Sequence, residues 1–138
     1  MITISNRPAL IADLAEFART TISSQTGITG MALKGGLVAA TKAKPNIMEV
    51  VLEHALDDVI SVLTPYWNSK PEGTAFGAQL EANKDRVADE LLQVADSKSN
   101  SVSNQSLVKV YNSLRGKAVK VVAENVGGLG EIVEKHAS

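Results

Sequence analysis

The amino-acid sequence predicts an all-α protein, a single-domain bundle of six to seven helices over residues 1–138. Apolar residues recur at spacings of three and four along nearly the whole chain, and strand-like alternation is almost absent. A chain of 138 residues has the usual size of one domain and can bury a core without disulfides. Because only 4% of the residues are aromatic, the predicted core is aliphatic.

The first two helices are predicted over about 8–22 and 29–42. A proline at the start of the first helix suits a first turn, and Asn6 is a candidate cap in front of it. Gly35 and Gly36 lie in the middle of the second helix, where each costs about 1 kcal/mol relative to alanine. We expect a close helix crossing there as compensation.

A third helix is predicted between two prolines, Pro45 and Pro65. Asn46 and Glu49 have the spacing of a capping box at its start. Its apolar residues cover more than half of its circumference, which is typical of a central helix. Pro65 is expected to end or kink it.

The second half of the chain is predicted to contain four helices, one of them long, with a polar loop before the long one. Serine and asparagine dominate this loop, which has little to bury. The loop covers about 97–106, and the helices cover about 75–82, 84–96, 105–125 and 128–137.

The two ends of the chain also resemble each other, which predicts an internal repeat. The Gly35 segment, LKGG, resembles the Gly116 segment, LRGK. We therefore expect two three-helix halves, about 6–64 and 84–137, joined by a connector over about 65–83. The two glycine segments would be points of close approach. The alternative is chance similarity between amphipathic helices.

Composition excludes several classes of function. The net charge of −1 argues against a dedicated nucleic-acid binder, because phosphate neutralisation needs a surplus of Lys and Arg. With no cysteine, the chain has no disulfide, thiolate nucleophile or Cys-ligated metal. The start of the sequence lacks the pattern of a secretory signal, and no window approaches ~18 apolar residues. A cytoplasmic location is therefore the expectation.

An acidic row near His54 is the one candidate for catalysis or metal binding. Glu49, Glu53 and Asp58 lie on the same predicted helix as His54, and the row could hold a divalent ion or act as an acid–base pair. Helical metal sites, however, normally take ligands from facing helices. We favour a solvated acidic face and assign no catalytic residue, metal or cofactor.

A basic helix face is a candidate site for an anionic surface. Lys109, Lys117 and Lys120 lie opposite the apolar face of a predicted helix. They could contact an anionic membrane or nucleic acid. An ordinary exposed charged face is the simpler interpretation.

Three of the five aromatic residues lie between the proposed halves: Tyr66, Trp67 and Phe76. Trp and Tyr are enriched at interaction hot spots, so the rings could anchor a partner or a second copy of the chain. The alternative is that they cover the seam of the core. We therefore favour a non-enzymatic structural or protein-interaction module, with a homodimer as one form of it.

Several stretches spread over the chain resemble a family of small all-helical proteins from actinobacteria whose function is not established. The resemblance implies an all-helical domain and supplies no catalytic or binding residue. The stretches are RPALIADL (7–14), TGITG (26–30), KP (44–45), LTPYW (63–67), VADELL (87–92), YNSLRGKA (111–118) and KHA (135–137).

Overall fold

The computed structural model describes residues 2–100 and 104–137 and is all-helical there, which confirms the predicted fold class. Between them these residues form six helices and a single isolated bridge, from Ile4 to Ala137. The helices are α1 (Arg7–Ser24), α2 (Gly27–Ala43), α3 (Ile47–Asn68), α4 (Phe76–Ala82), α5 (Lys84–Ser99) and α6 (Gln105–His136).

The longest helix, α6, is the central element of the bundle. Its 32 residues span about 48 Å, and it packs against α1, α2, α4 and α5. The second long helix, α3, packs against α1, α4 and α5. The C-terminal half of α6 therefore faces a closed bundle, whereas its N-terminal half has α2 and α5 as neighbours.

The main core is mostly aliphatic, as predicted, and Tyr66 and Phe76 are its aromatic members. Helices α1, α3, α4, α5 and the C-terminal half of α6 supply it, and α2 supplies no member. Its fully buried side chains are Leu10, Leu56, Leu63, Phe76, Leu80, Val87, Val126 and Val133.

Helix starts follow the sequence signals only in part. Asn6 caps α1 as predicted, because its side-chain oxygen accepts a hydrogen bond from the backbone N–H of Ala9 at 3.0 Å. The predicted capping box at Asn46 is wrong, since that side chain makes no cap hydrogen bond. The Glu49 carboxylate instead binds Arg19 of α1 at 2.6 and 2.8 Å, a charge-assisted contact stronger than a neutral cap.

Two predicted breaks lie inside helices. Pro65 does not end α3, which continues to Asn68, and a kink at this proline stays a prediction. The predicted boundary near 126–128 is wrong, because α6 is continuous through Gly127 and Gly128. Glycine in a helix interior costs about 1 kcal/mol, a cost that tertiary packing can outweigh.

That packing is a close crossing of α4 over α6. A Cβ added at Gly130 would lie 2.6 Å from Cα of Gly77, and one added at Gly77 would lie 2.6 Å from the carbonyl oxygen of Gly127. The close approach predicted between the Gly35 and Gly116 segments is found at Gly36, where an added Cβ would press into the side chain of Leu114 on α6. Gly35 and Gly116 themselves do not make it, because an added Cβ there meets no atom within 4 Å outside the nearby backbone of its own helix. The glycines that permit the crossing of α4 over α6 are Gly77 and Gly130.

The internal repeat is not confirmed. Within the described residues, the 84–137 half contains two helices, α5 and α6, where the repeat predicts three. The part of α6 that would match α2 and α3 is one helix. Pro45 lies in the break between α2 and α3, a residue type that disfavours a continuous helix, and the second half has no proline at the matching place.

Gly130→Ala is expected to destabilise the fold by about 1–3 kcal/mol, because its methyl group would press on the α4 backbone. Gly116→Ala is the matched control in the same helix. With open space around its Cβ, it should stabilise by up to about 1 kcal/mol. Urea unfolding of both variants checks this, and equal effects would contradict the close crossing.

Candidate functional site

The carboxylates of the acidic row form ion pairs with cations of neighbouring helices. Arg7 of α1 contacts Asp57 at 2.8 Å and Glu53 at 3.7 Å. Lys98 of α5 contacts Asp58 at 2.7 Å. The hydrogen bond from Arg19 lowers the pKa of Glu49. These carboxylates therefore connect α3 to α1 and α5 and are not directed at a common ligand.

His54 lines a surface cavity together with Pro8, Ile11, Val50 and the start of the acidic row. Over residues 2–100 and 104–137, no group of three or more His, Cys, Asp or Glu side chains is placed to hold a metal ion. The geometry adds nothing in favour of acid–base chemistry at His54, which stays an untested alternative to a solvated acidic face.

The aromatic cluster lies mostly in the core. Phe76 is fully buried, Tyr66 is 6% exposed, and Trp67 is half-buried with its ring edge-on to Phe76 at 5.0 Å. The Tyr66 hydroxyl donates to Glu90 of α5, and burial with this bond raises the pKa of Tyr66 to about 12. The burial of Phe76 and Tyr66 agrees with the alternative that these rings cover the seam of the core, and a partner role for the cluster stays a prediction.

The N-terminal half of α6 is held by polar contacts. None of its residues from 105 to 120 is buried. Asp96 of α5 accepts a hydrogen bond from the Tyr111 hydroxyl at 2.5 Å and binds Nε of Arg115 at 2.9 Å. Arg115, and then Tyr111, lower the pKa of Asp96. Asp96 thus fixes where this half of α6 lies.

Two segments of the sequence, whose helices α2 and α6 pack against each other, contain no acidic residue. These segments, 17–48 and 97–123, hold nine of the fourteen basic residues and none of the fifteen acidic ones. They meet where α2 packs on α6, since a Cβ at Gly36 would lie 3.3 Å from Val110. We call this region the basic end.

Six lysines of the basic end form no salt bridge with any described residue. Arg19, Lys98 and Arg115 are the members that are paired. Five of the six unpaired lysines are exposed, and Lys117 is half-buried. The six are Lys34, Lys42, Lys44, Lys109, Lys117 and Lys120, so the predicted basic face belongs to a larger set.

The outward side of α2 is apolar. Ile28 is 83% exposed, Met31 77% and Val38 55%, and their spacing of three and seven places them on one helix face. Lys34 and Lys42 lie one helical turn from Met31 and Val38. We call the three apolar residues the α2 face.

Sequence reasoning missed the α2 face because it considered only the inner side of this helix, to which the spacing assigns Leu33, Leu37 and Ala40. Leu33 is indeed buried, but Ile28 and Met31 lie on another side. The available signal was the distribution of apolar residues around the whole helix without a single acidic residue. A peripheral helix of that composition has to expose part of its apolar surface.

Comparison with known proteins shows the family. A model of DUF6918, a family of unknown function, matches residues 1–137, and the chain belongs to this family. No curated protein and no solved structure matches the chain. Within the part of the chain that the structure describes, no helix combines the length and apolarity required to cross a membrane.

Asp96→Asn is expected to lower stability at neutral pH and to matter less in acid. A carboxylate whose folded pKa is lowered contributes stability above its unfolded pKa of about 4, and this contribution is lost as pH falls through the folded pKa. The difference in urea midpoint between wild type and variant should therefore shrink from pH 7 to pH 3.

The matched control is Glu124→Gln, an exposed acid of α6 without a salt bridge to any described residue. Its difference from wild type should be small at both pH values. A gap for Asp96→Asn that stays constant with pH would show that ionised Asp96 does not hold α6 to α5.

Proposed function

We propose that this chain is a non-enzymatic binding module whose basic end docks an anionic partner. The observation that supports this proposal is the set of six lysines without salt bridges, next to an exposed apolar face and without an acid in either segment. Monomeric proteins rarely leave such a combination unused, since exposed apolar patches commonly mark interaction sites.

The charge distribution matters more than the net charge of −1. Ionic strength screens exposed charges beyond about 8–10 Å, so a partner at one end responds to the local charge. At the basic end three cations are paired with acids of neighbouring segments, and the six unpaired lysines leave a local surplus of positive charge. Such a distribution both attracts an anionic partner and orients the molecule towards it.

The same pattern opposes the homodimer that the aromatic cluster suggested, if the dimer were to form through this end. A twofold dimer brings the same patch of both copies together. Two basic ends in contact would place like charges opposite each other, which is costly across an interface. Self-association would need another surface.

Lys42→Gln with Lys109→Gln tests the proposal against the control pair Lys70→Gln with Lys84→Gln. Both pairs change the net charge equally, but only the first lies in the basic end. On immobilised heparin, a polyanion, the first variant should elute at a clearly lower salt concentration than wild type. The control should elute close to wild type.

Two results would contradict the proposal. One is an equal shift for both variants, which would mean that net charge alone sets retention. The other is a wild-type chain that heparin does not retain even at low salt.

A further inference from the structure

We infer that the anionic partner is a phospholipid bilayer surface, on which α2 lies with Ile28, Met31 and Val38 among the acyl chains. This inference rests on the proposed function and names its partner. Besides positive charge, the basic end presents an exposed apolar surface, the α2 face.

The α2 face separates lipid from nucleic acid. A protein binds a nucleic-acid backbone mainly through contacts between its cationic side chains and the phosphates, and these contacts supply most of the affinity. Ile28, Met31 and Val38 would gain nothing from phosphates and would stay in water. A bilayer interface takes up apolar side chains and binds cations at its headgroups, so it uses both features of the site.

The shape of the site separates lipid from a partner helix. A protein that binds an amphipathic helix normally offers it a concave groove. Here the apolar residues lie on the outward side of α2, which is convex, and neither of the two surface cavities described is lined by an α2 residue. A convex helix side fits a bilayer interface without any rearrangement.

The positions of the lysines agree with this orientation. Lys34 and Lys42 flank the α2 face at one-turn spacing, from where long side chains can reach the headgroups while their stems stay in apolar surroundings. Lys109 and Lys120 extend the positive surface along α6. Neither segment contains an acidic residue that anionic lipid would repel.

The main core contains no residue of α2, so an effect of substitutions on α2 can be told apart from unfolding of the bundle. Because α2 contributes no core member, polar substitutions on its outward side should leave the rest of the bundle folded. The chain also offers a matched control in Val51 of α3, another exposed valine, at 46% compared with 55% for Val38.

The experiment is sedimentation with vesicles of phosphatidylcholine alone and with vesicles of equal parts phosphatidylcholine and phosphatidylserine. Wild type should bind the mixed vesicles and not the zwitterionic ones. Val38→Ser should weaken binding by about fivefold, and the triple variant Ile28→Ser, Met31→Ser, Val38→Ser by more than tenfold. Val51→Ser should bind like wild type, and Lys42→Gln with Lys109→Gln should bind weakly.

A second measurement reports insertion directly. Since the chain has no cysteine, Met31→Cys and Val51→Cys each carry one environment-sensitive dye at a defined place. The emission maximum of the dye at position 31 should shift to the blue on mixed vesicles. The emission maximum of the dye at position 51 should not shift.

The outcomes separate the two levels of the proposal. If heparin retains the chain through the basic end but Val38→Ser and Val51→Ser bind vesicles alike, or the dye at position 31 does not shift, the lipid inference is wrong and an anionic partner of another class remains. If the lysine variant behaves as wild type on both heparin and vesicles, the proposed function fails as well.

Discussion

Helix α4 can cross α6 at backbone contact distance only because glycine occupies both sides of the crossing. At Gly77 and Gly130 even a methyl group would meet backbone atoms of the opposite helix at 2.6 Å. Beside this contact Phe76 is fully buried, and its backbone N–H donates to a carboxylate oxygen of Glu134 at 3.4 Å. Helix α4 also packs against α3 and α5, so the crossing connects those helices to α6.

The N-terminal half of α6 extends beyond that core, and this explains why the candidate site is there. With no buried residue from 105 to 120, this half is held by Asp96 and by its packing against α2. Since α2 packs on a peripheral part of α6, only its inner side is covered. The exposed α2 face is thus a consequence of where the core ends.

Local patterns in the sequence predicted the features that depend on interactions between residues close together in the chain. Helical periodicity identified the fold class, and Asn6 caps α1 because its partner is three residues away. The continuity of α6 through Gly127 could not be predicted in this way, because α4, which offsets the glycine cost, is some fifty residues away in sequence. Lys109 and Lys120 were found from their spacing, whereas the exposure of Ile28 depends on tertiary packing.

The charge pattern around the α2 face resolves a difficulty that an exposed apolar helix creates. Apolar surface on a small protein favours aggregation, because identical faces can bury each other. Lys34 and Lys42 border that surface, and neither segment of the basic end contains an acid, so two copies repel each other at the place where they would associate. An anionic surface reverses the sign of that interaction, so the lysines that keep the α2 face from its own copies also direct it to its partner.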